Sequence, residues 1–250
     1  MRGAIMRGAI MQPTYLPWLG YFSMIDDVDV FVFLDSVQLV KRSWQVRNRI
    51  KEYDGKELML SIPIHTIGRR DTKICDAEFA SQSWYVKHLN SIKQCYSKSK
   101  FYDEIMSFIE PVYYENYKYL SEFNIKLITS ICEYIGINTT LIKSSDLNGI
   151  CGKKDSLLVD ICKKIGIDYY LSAIGSSEYI ESKEPGGFFS KEGIKLRYQN
   201  YQHPEYKQLG NVFMPFMGII DLLCNNGKTS LEIIKSGKGI PYKSSDIRKI

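Results

Sequence analysis

Short runs of consecutive apolar residues alternate along this chain with longer stretches in which apolar positions recur every three or four residues. Residues 9–12 form an apolar run that ends at Pro13 and reads as a first strand. Pro17 suits a helix start, where its missing N–H costs nothing. Residues 18–25 continue as that helix, and Asp26-Asp27 stop it. Residues 29–34 (DVFVFL) hold a continuous β-branched and aromatic run, the pattern of a strand buried on both faces. Residues 43–50 and 57–64 read as two strands joined by the turn Tyr53-Asp54-Gly55, a hairpin. Helical spacing returns over residues 81–96, where Trp84, His88, Ile92 and Tyr96 share a face, and over residues 116–136, which end at a glycine. A strand at 139–143, a helix at 155–165 and a strand at 168–172 make a further βαβ unit, and residues 217–225 and 230–236 read as closing helices. This alternation predicts an α/β, Rossmann-like parallel sheet covered by helices, with an inserted β-hairpin and additional helices.

The ends read differently. MRGAI occurs twice in succession, so residues 1–10 are expected to be a duplicated start outside the fold. Residues 11–236 then form a single α/β domain, and residues 237–250, rich in Gly, Ser and Lys, a flexible tail.

Composition narrows the function classes. At 250 residues the chain can bury a full core without disulfides. The net charge of +5 is spread along the chain rather than gathered in a stripe, which argues against a nucleic-acid surface. It suits a small anionic ligand, or simply solubility. Six cysteines include no CxxC pair, and four fall within apolar helical patterns as small core residues. With no secretion signal, the expected location is cytoplasmic. No apolar run is long enough to span a membrane. His65, His88 and His203 lack metal-ligand spacing, and His88 with Trp84 reads as a helix-face pair. Oligomeric state stays open, a homo-oligomer included, and no cofactor is named.

In parallel sheets ligands bind beyond the carboxyl ends of the strands, which singles out four segments. The first, residues 12–21, has two prolines that stiffen a turn, the polar groups of Gln12 and Thr14, and Gly20, where a ligand could approach the backbone. Its helix start suits a phosphate or carboxylate; the alternative is a rigid turn with aromatic packing. The second, residues 35–51, combines Asp35, Gln38, Lys41, Arg42, Trp44, Asn48 and Arg49, cations and an aromatic plane suited to a phosphorylated nucleotide or sugar nucleotide. The alternative is a solvated basic hairpin. The third pairs Ser144-Ser145-Asp146 with Lys153-Lys154-Asp155, where Asp155 would cap a helix and the lysines could complete an anion pocket. The fourth, residues 172–179, ends a strand in small residues that could cradle a phosphate or form a plain turn.

Several of these motifs resemble the WbqC-like family of bacterial polysaccharide-cluster proteins. The resemblance rests on Met11-Gln12-Pro13 with Tyr15-Leu16-Pro17-Trp18-Leu19-Gly20-Tyr21-Phe22, on Asp35-Ser36-Val37-Gln38, and on Arg47-Asn48-Arg49-Ile50. Ile62-Pro63-Ile64, Ser144-Ser145-Asp146, Tyr170-Leu171-Ser172 and Phe213-Met214-Pro215 follow in order, so that it covers nearly the whole chain. Ala173 departs from the family's usual glycine after the serine. The first strand and turn also resemble nucleotidylyltransferase-like folds, but the stretch matching their HxGH motif is Trp18-Leu19-Gly20-Tyr21, in which only the glycine is kept. The resemblance implies a transferase of O-antigen or related surface-polysaccharide biosynthesis that attaches glycine or another acyl group to a nucleotide-linked amino sugar. In that picture Lys41, Arg49 and the helix start near Trp18 hold phosphates, Asp35 is the general base, and Gln12 and Asn48 orient the substrate. Tyr15, Tyr21, Gln38, Trp44, Ser144 and Ser172 complete the expected substrate contacts. Two alternatives remain: an ATP- and Mg²⁺-dependent adenylating or nucleotidyl-transfer enzyme, and a non-catalytic scaffold of a glycan-assembly complex.

Overall fold

A computed structural model describes residues 5–65 and 71–247. Five parallel strands form the central sheet: β1 (Arg7–Met11), β2 (Val30–Phe33), β5 (Thr140–Lys143), β6 (Tyr169–Ser172) and β7 (Lys195–Tyr198), in the order β5-β2-β1-β6-β7. The chain leaves β1 towards one edge through β2 and β5, then crosses to the other side of β1 for β6 and β7. This is the doubly wound, Rossmann-like arrangement, with its switch point between β1 and β6. β3 (Arg47–Lys51) and β4 (Glu57–Ser61) form the separate antiparallel hairpin that the turn at Gly55 predicts.

Alternating side chains split the core between two faces. Ala9, Phe31, Phe33 and Leu171 pack on one face against α1 (Leu19–Asp26), α2 (Trp84–Tyr96), α3 (Tyr102–Tyr114), α4 (Leu120–Ile135), α8 (Ile219–Asn226) and α9 (Ser230–Ser236). Ile10, Val30, Val32 and Tyr170 pack on the other against α5 (Asp155–Ile165), α6 (Ser177–Ile180) and α7 (Gly187–Lys191). β2 is buried at all four positions, as its unbroken apolar run requires. Cys95, Cys132, Cys162 and Cys224 are buried in helices, as small core residues. No described helix is long and apolar enough to cross a membrane.

The chain differs from expectation at both ends. β1 begins at Arg7, so the second copy of the repeated pentapeptide lies in the middle of the sheet rather than outside the fold. Its backbone pairs with β2 on one side and β6 on the other, which accounts for every position of an apolar five-residue strand. Residues 1–4 of the first copy fall outside the described residues. The expected tail is tied to the domain: Lys238 bridges to Tyr201, Tyr242 bridges to Tyr198, and α10 (Ser244–Ile247) follows. Lys238 also pairs with the buried Asp27. The helix α3 and the strand β7 have no counterpart in the sequence reading. Pro111 interrupts the helical pattern of α3 near its end, and β7 is an edge strand of four residues, two of them charged.

Candidate functional site

The loop between β1 and α1 is held from three sides. Asn48 on β3 donates through its side-chain amide to the carbonyls of Tyr15 (3.0 Å) and Leu16 (2.7 Å). Asn124 on α4 does the same for Pro13 (3.2 Å) and Gln45 (2.9 Å). At the start of α8, the Ile219 N–H donates to the Pro17 carbonyl (2.9 Å). Both asparagines are buried, so these bonds are made away from water. They hold Leu16 in the left-handed region, at φ +43°, which non-glycine residues rarely adopt.

This clamped loop forms one wall of a cavity of about 310 Å³ at the carboxyl end of β1, lined by Met11, Thr14, Pro17, Trp18, Tyr21, Trp44, Asn48, Arg49 and Phe216. Trp18 stacks on His203 (6.3 Å between ring centres, 12° between planes) and meets Tyr201 and Phe216 at 5.4 and 5.7 Å. Phe216, also left-handed at φ +61°, closes the far side. Arg49 is fixed by Glu57 (2.7 Å) and by the Phe216 carbonyl (3.0 Å). His203 is neutral in this setting: its Nδ1–H donates to the Pro204 carbonyl while Nε2 accepts the Phe216 N–H. Burial lowers its pKa, and the nearby Arg49 charge lowers it further. Burial drives the Tyr21 phenol well above its ordinary range, and its hydroxyl donates to the Gln12 carbonyl. Tyr21 is therefore a wall and not a base.

A second cavity, of about 890 Å³, lies along the same edge at the carboxyl ends of β2 and β5, where Ser36, Gln38, Lys73, Ser144, Ser145, Lys153 and Lys154 are among the lining residues. Asp35 stands behind its wall and is 1% exposed. Its Oδ1 accepts from Ser144 Oγ (3.0 Å) and the Ser145 N–H (2.9 Å), and its Oδ2 accepts from Ser145 Oγ (2.7 Å). In return Ser144 Oγ accepts the N–H groups of Asp35 and Ser36, each at 3.1 Å. The carboxylate thus latches the end of β2 to the turn after β5.

Of the residues singled out in the sequence, Thr14, Trp18, Tyr21, Trp44, Asn48 and Arg49 meet in the first cavity, and Gln38, Ser144, Ser145, Lys153 and Lys154 line the second. The others do not fit the expected roles. Asp35 has both oxygens occupied and faces neither cavity, which removes it as a general base. Gln12 pairs with Gln45 and lines neither cavity. Gly20 offers no room to a ligand, because the Trp18 ring already lies 2.3 Å from where a Cβ would sit. Tyr15 is fully buried in a chain of hydrogen bonds with Tyr113 (2.7 Å) and His88 (2.9 Å). His88 stacks edge-on against Trp84 at 4.9 Å, the expected helix-face pair. Ser172 is fully buried, and Lys41 lies exposed outside both cavities. Asp155 is the first residue of α5 rather than its cap, and it reaches instead to the Phe188 N–H at 3.4 Å. Met11 and Pro17 in the first cavity and Ser36 in the second stand in the motifs without an expected role, Phe216 follows one directly, and Lys73 carries no signal in the sequence. Among the described residues no group of three or more His, Cys, Asp or Glu is placed to hold a metal ion.

The chain is 32% identical over 229 residues to the uncharacterized protein Rv1507c of Mycobacterium tuberculosis, covering 91% of this chain and 96% of that one. No solved structure matches it. The family model of the WbqC-like protein family matches residues 12–233, a span that includes the clamped loop, the second cavity, all of the first cavity's lining except Met11, and every strand after β1, and the chain belongs to that family.

Proposed function

We propose that this protein is a transferase of bacterial surface-polysaccharide biosynthesis that binds a nucleotide-linked amino sugar and attaches an amino acid, such as glycine, or another acyl group to its amine. The observation that carries this reading is the cavity at the carboxyl end of β1, with four aromatic walls and one fixed guanidinium. Aromatic faces stack on sugar rings and bases, and a guanidinium suits a phosphate or carboxylate. Trp18 and Trp44 would take the ring, Arg49 the anionic group, and Thr14 a hydroxyl. With Asp35 closed off, rate enhancement rests on holding amine and acyl donor together rather than on a carboxylate base.

One feature favours a second reading, a binding or scaffold protein of a glycan-assembly complex. Among the described residues, the first cavity's lining includes no side chain able to take a proton near neutral pH. Calorimetry with UDP- and dTDP-linked amino sugars, followed by mass spectrometry after incubation with acyl donors, separates the two. Binding that is lost in Trp18→Ala, together with a product heavier by the acyl group, supports the transferase. Binding without product supports the scaffold. Stabilisation by ATP with Mg²⁺ alone overturns both in favour of adenylation.

A further inference from the structure

We infer that the cavity over β2 and β5 is a diphosphate-binding site, a second anion seat beyond Arg49 for the nucleotide-linked ligand; this deepens the transferase reading and rests on it for the identity of the remainder of the ligand.

Charge points to an anion. Lys73, Lys153 and Lys154 line the cavity against the single carboxylate of Asp76. Among the described residues none of the three lysines is in an ion pair; Asp71 accepts from the lining Gln38 at 3.4 Å, and three other nearby acids are committed elsewhere. Asp35 is filled by Ser144 and Ser145. Asp146 pairs with Lys143 at 3.2 Å. Asp155, beside Lys154, reaches to the Phe188 N–H. Three cations lining one cavity against one carboxylate favour a bound counter-charge.

Local backbone adds donors. α5 is 11 residues long and begins directly after the two lysines, with no side-chain hydrogen bond capping it. The N–H groups of its first turn are therefore open to an anion. The latch at Asp35 keeps Ser36 and Ser145 beside this helix start.

Position ties the cavity to the aromatic one. Met11, which lines the aromatic cavity, is in register with Phe33, three residues before Ser36, which lines the cationic one. Neighbouring strands lie about 5 Å apart. A ligand with a ring at one end and a diphosphate beside it can reach both cavities along one sheet edge.

The test is calorimetry on the full chain with inorganic diphosphate, UDP, ATP and a UDP-linked amino sugar. The proteins compared are the native chain, Lys153→Ala with Lys154→Ala, Lys41→Ala, and Trp18→Ala. Both replaced lysines of the double variant are exposed, so its melting midpoint should match that of the native protein. Expected are binding of diphosphate and UDP that weakens as salt rises, a loss of at least about tenfold in the double variant, and no change in Lys41→Ala. No binding of diphosphate by the native chain, or equal binding by the double variant, overturns the site. Nucleotide-sugar binding that needs Trp18 but not the lysines also overturns it, while leaving the transferase reading intact. Lysine-dependent diphosphate binding with no product from any sugar sustains the site and removes the transferase. ATP favoured over UDP in the same lysine-dependent manner keeps the site but assigns it to a nucleoside triphosphate.

Discussion

Acid should unfold this protein through His88 before it disturbs most surface groups. The ring is 4% exposed between Trp84 and Tyr15. Its Nε2 faces the Ser61 carbonyl at 3.2 Å, which can only accept, so Nε2 carries the proton. Nδ1 then accepts from the Tyr15 hydroxyl, and that oxygen accepts from Tyr113. A second proton on the ring would meet a hydroxyl already turned the wrong way, in surroundings that cannot solvate the charge. Burial accordingly lowers the His88 pKa from 6.5 to about 4, with the Lys87 charge adding to the effect and the bond to Ser61 opposing it.

The unfolded chain therefore takes up this proton first as pH falls. Stability from His88 is complete above about pH 6.5 and declines by about 1.4 kcal/mol per pH unit down to about 4. The total is about 3 kcal/mol, a large share of the roughly 5–15 kcal/mol typical of a folded protein. Urea unfolding at intervals between about pH 7.5 and 4.5, compared with His88→Asn, isolates the effect. Asparagine can still accept from Tyr15 but cannot ionise. His203, shifted the same way, and Asp221, shifted upward by burial, remain in both proteins and cancel in the difference. Parallel stability curves for the two proteins across this window would refute the assignment.

Three further outcomes follow from the packing. Asp35→Asn should cost about 2–3 kcal/mol, because its amide nitrogen replaces an acceptor of buried bonds; a melting midpoint lowered by several degrees checks it, and an unchanged midpoint would reopen a catalytic role for Asp35. Gly20→Ala should push the Trp18 ring out of its seat at a cost of about 1–3 kcal/mol, seen as red-shifted Trp18 emission with Trp44 and Trp84 replaced by Phe, and weaker binding of a nucleotide-linked sugar should accompany it. Lys51→Met should cost about 1–3 kcal/mol by leaving the Leu209 carbonyl without its donor and removing a positive charge that acts on the buried Asp221; an unchanged urea midpoint would mean that Asp221, held by Tyr206 and Gln208 at 2.8 Å each, does not depend on that charge.

The strands and long helices were legible because burial imposes its period on the residues. β2 shows an unbroken apolar run, and α5 and α9 match the helical pattern to the residue. β7 was not legible: at the sheet edge, with Lys195 and Arg197 on alternate positions, it lacks the apolar run that marks a central strand. The duplicated start misled for another reason, since its repetition draws attention from the fact that one copy is a well-formed strand. At the site, sequence proximity grouped Trp44, Asn48 and Arg49 correctly but not Lys41, and strand β3 brings Asn48 and Arg49 to the loop after β1. It could not show which polar groups were already spent. Asp35 and Gln12 have the right chemistry for catalysis, but their hydrogen bonds lie with Ser144, Ser145 and Gln45, up to 110 residues away. A strand-end carboxylate reads the same whether it faces a ligand or a neighbouring turn.

The two cavities differ in how they are built, and the difference bears on how a ligand would be taken up. Around the aromatic cavity two non-glycine residues, Leu16 and Phe216, are held at positive φ, each costing on the order of 1 kcal/mol or more. Buried amides from Asn48 and Asn124 hold the first, and the Arg49 side chain and the His203 ring bond the backbone of the second. Walls that carry strain in the free protein are already in place, so a ring entering them pays little to order them. The lysines of the cationic cavity are exposed and anchored only through their backbone. They draw an anion in over a distance that salt shortens, but they discriminate poorly among phosphates. On this division charge governs how fast a ligand arrives and shape governs which ligand stays. High salt should then weaken binding while leaving the preference among sugars unchanged, whereas changes to Trp18 or Phe216 should alter that preference at any salt concentration.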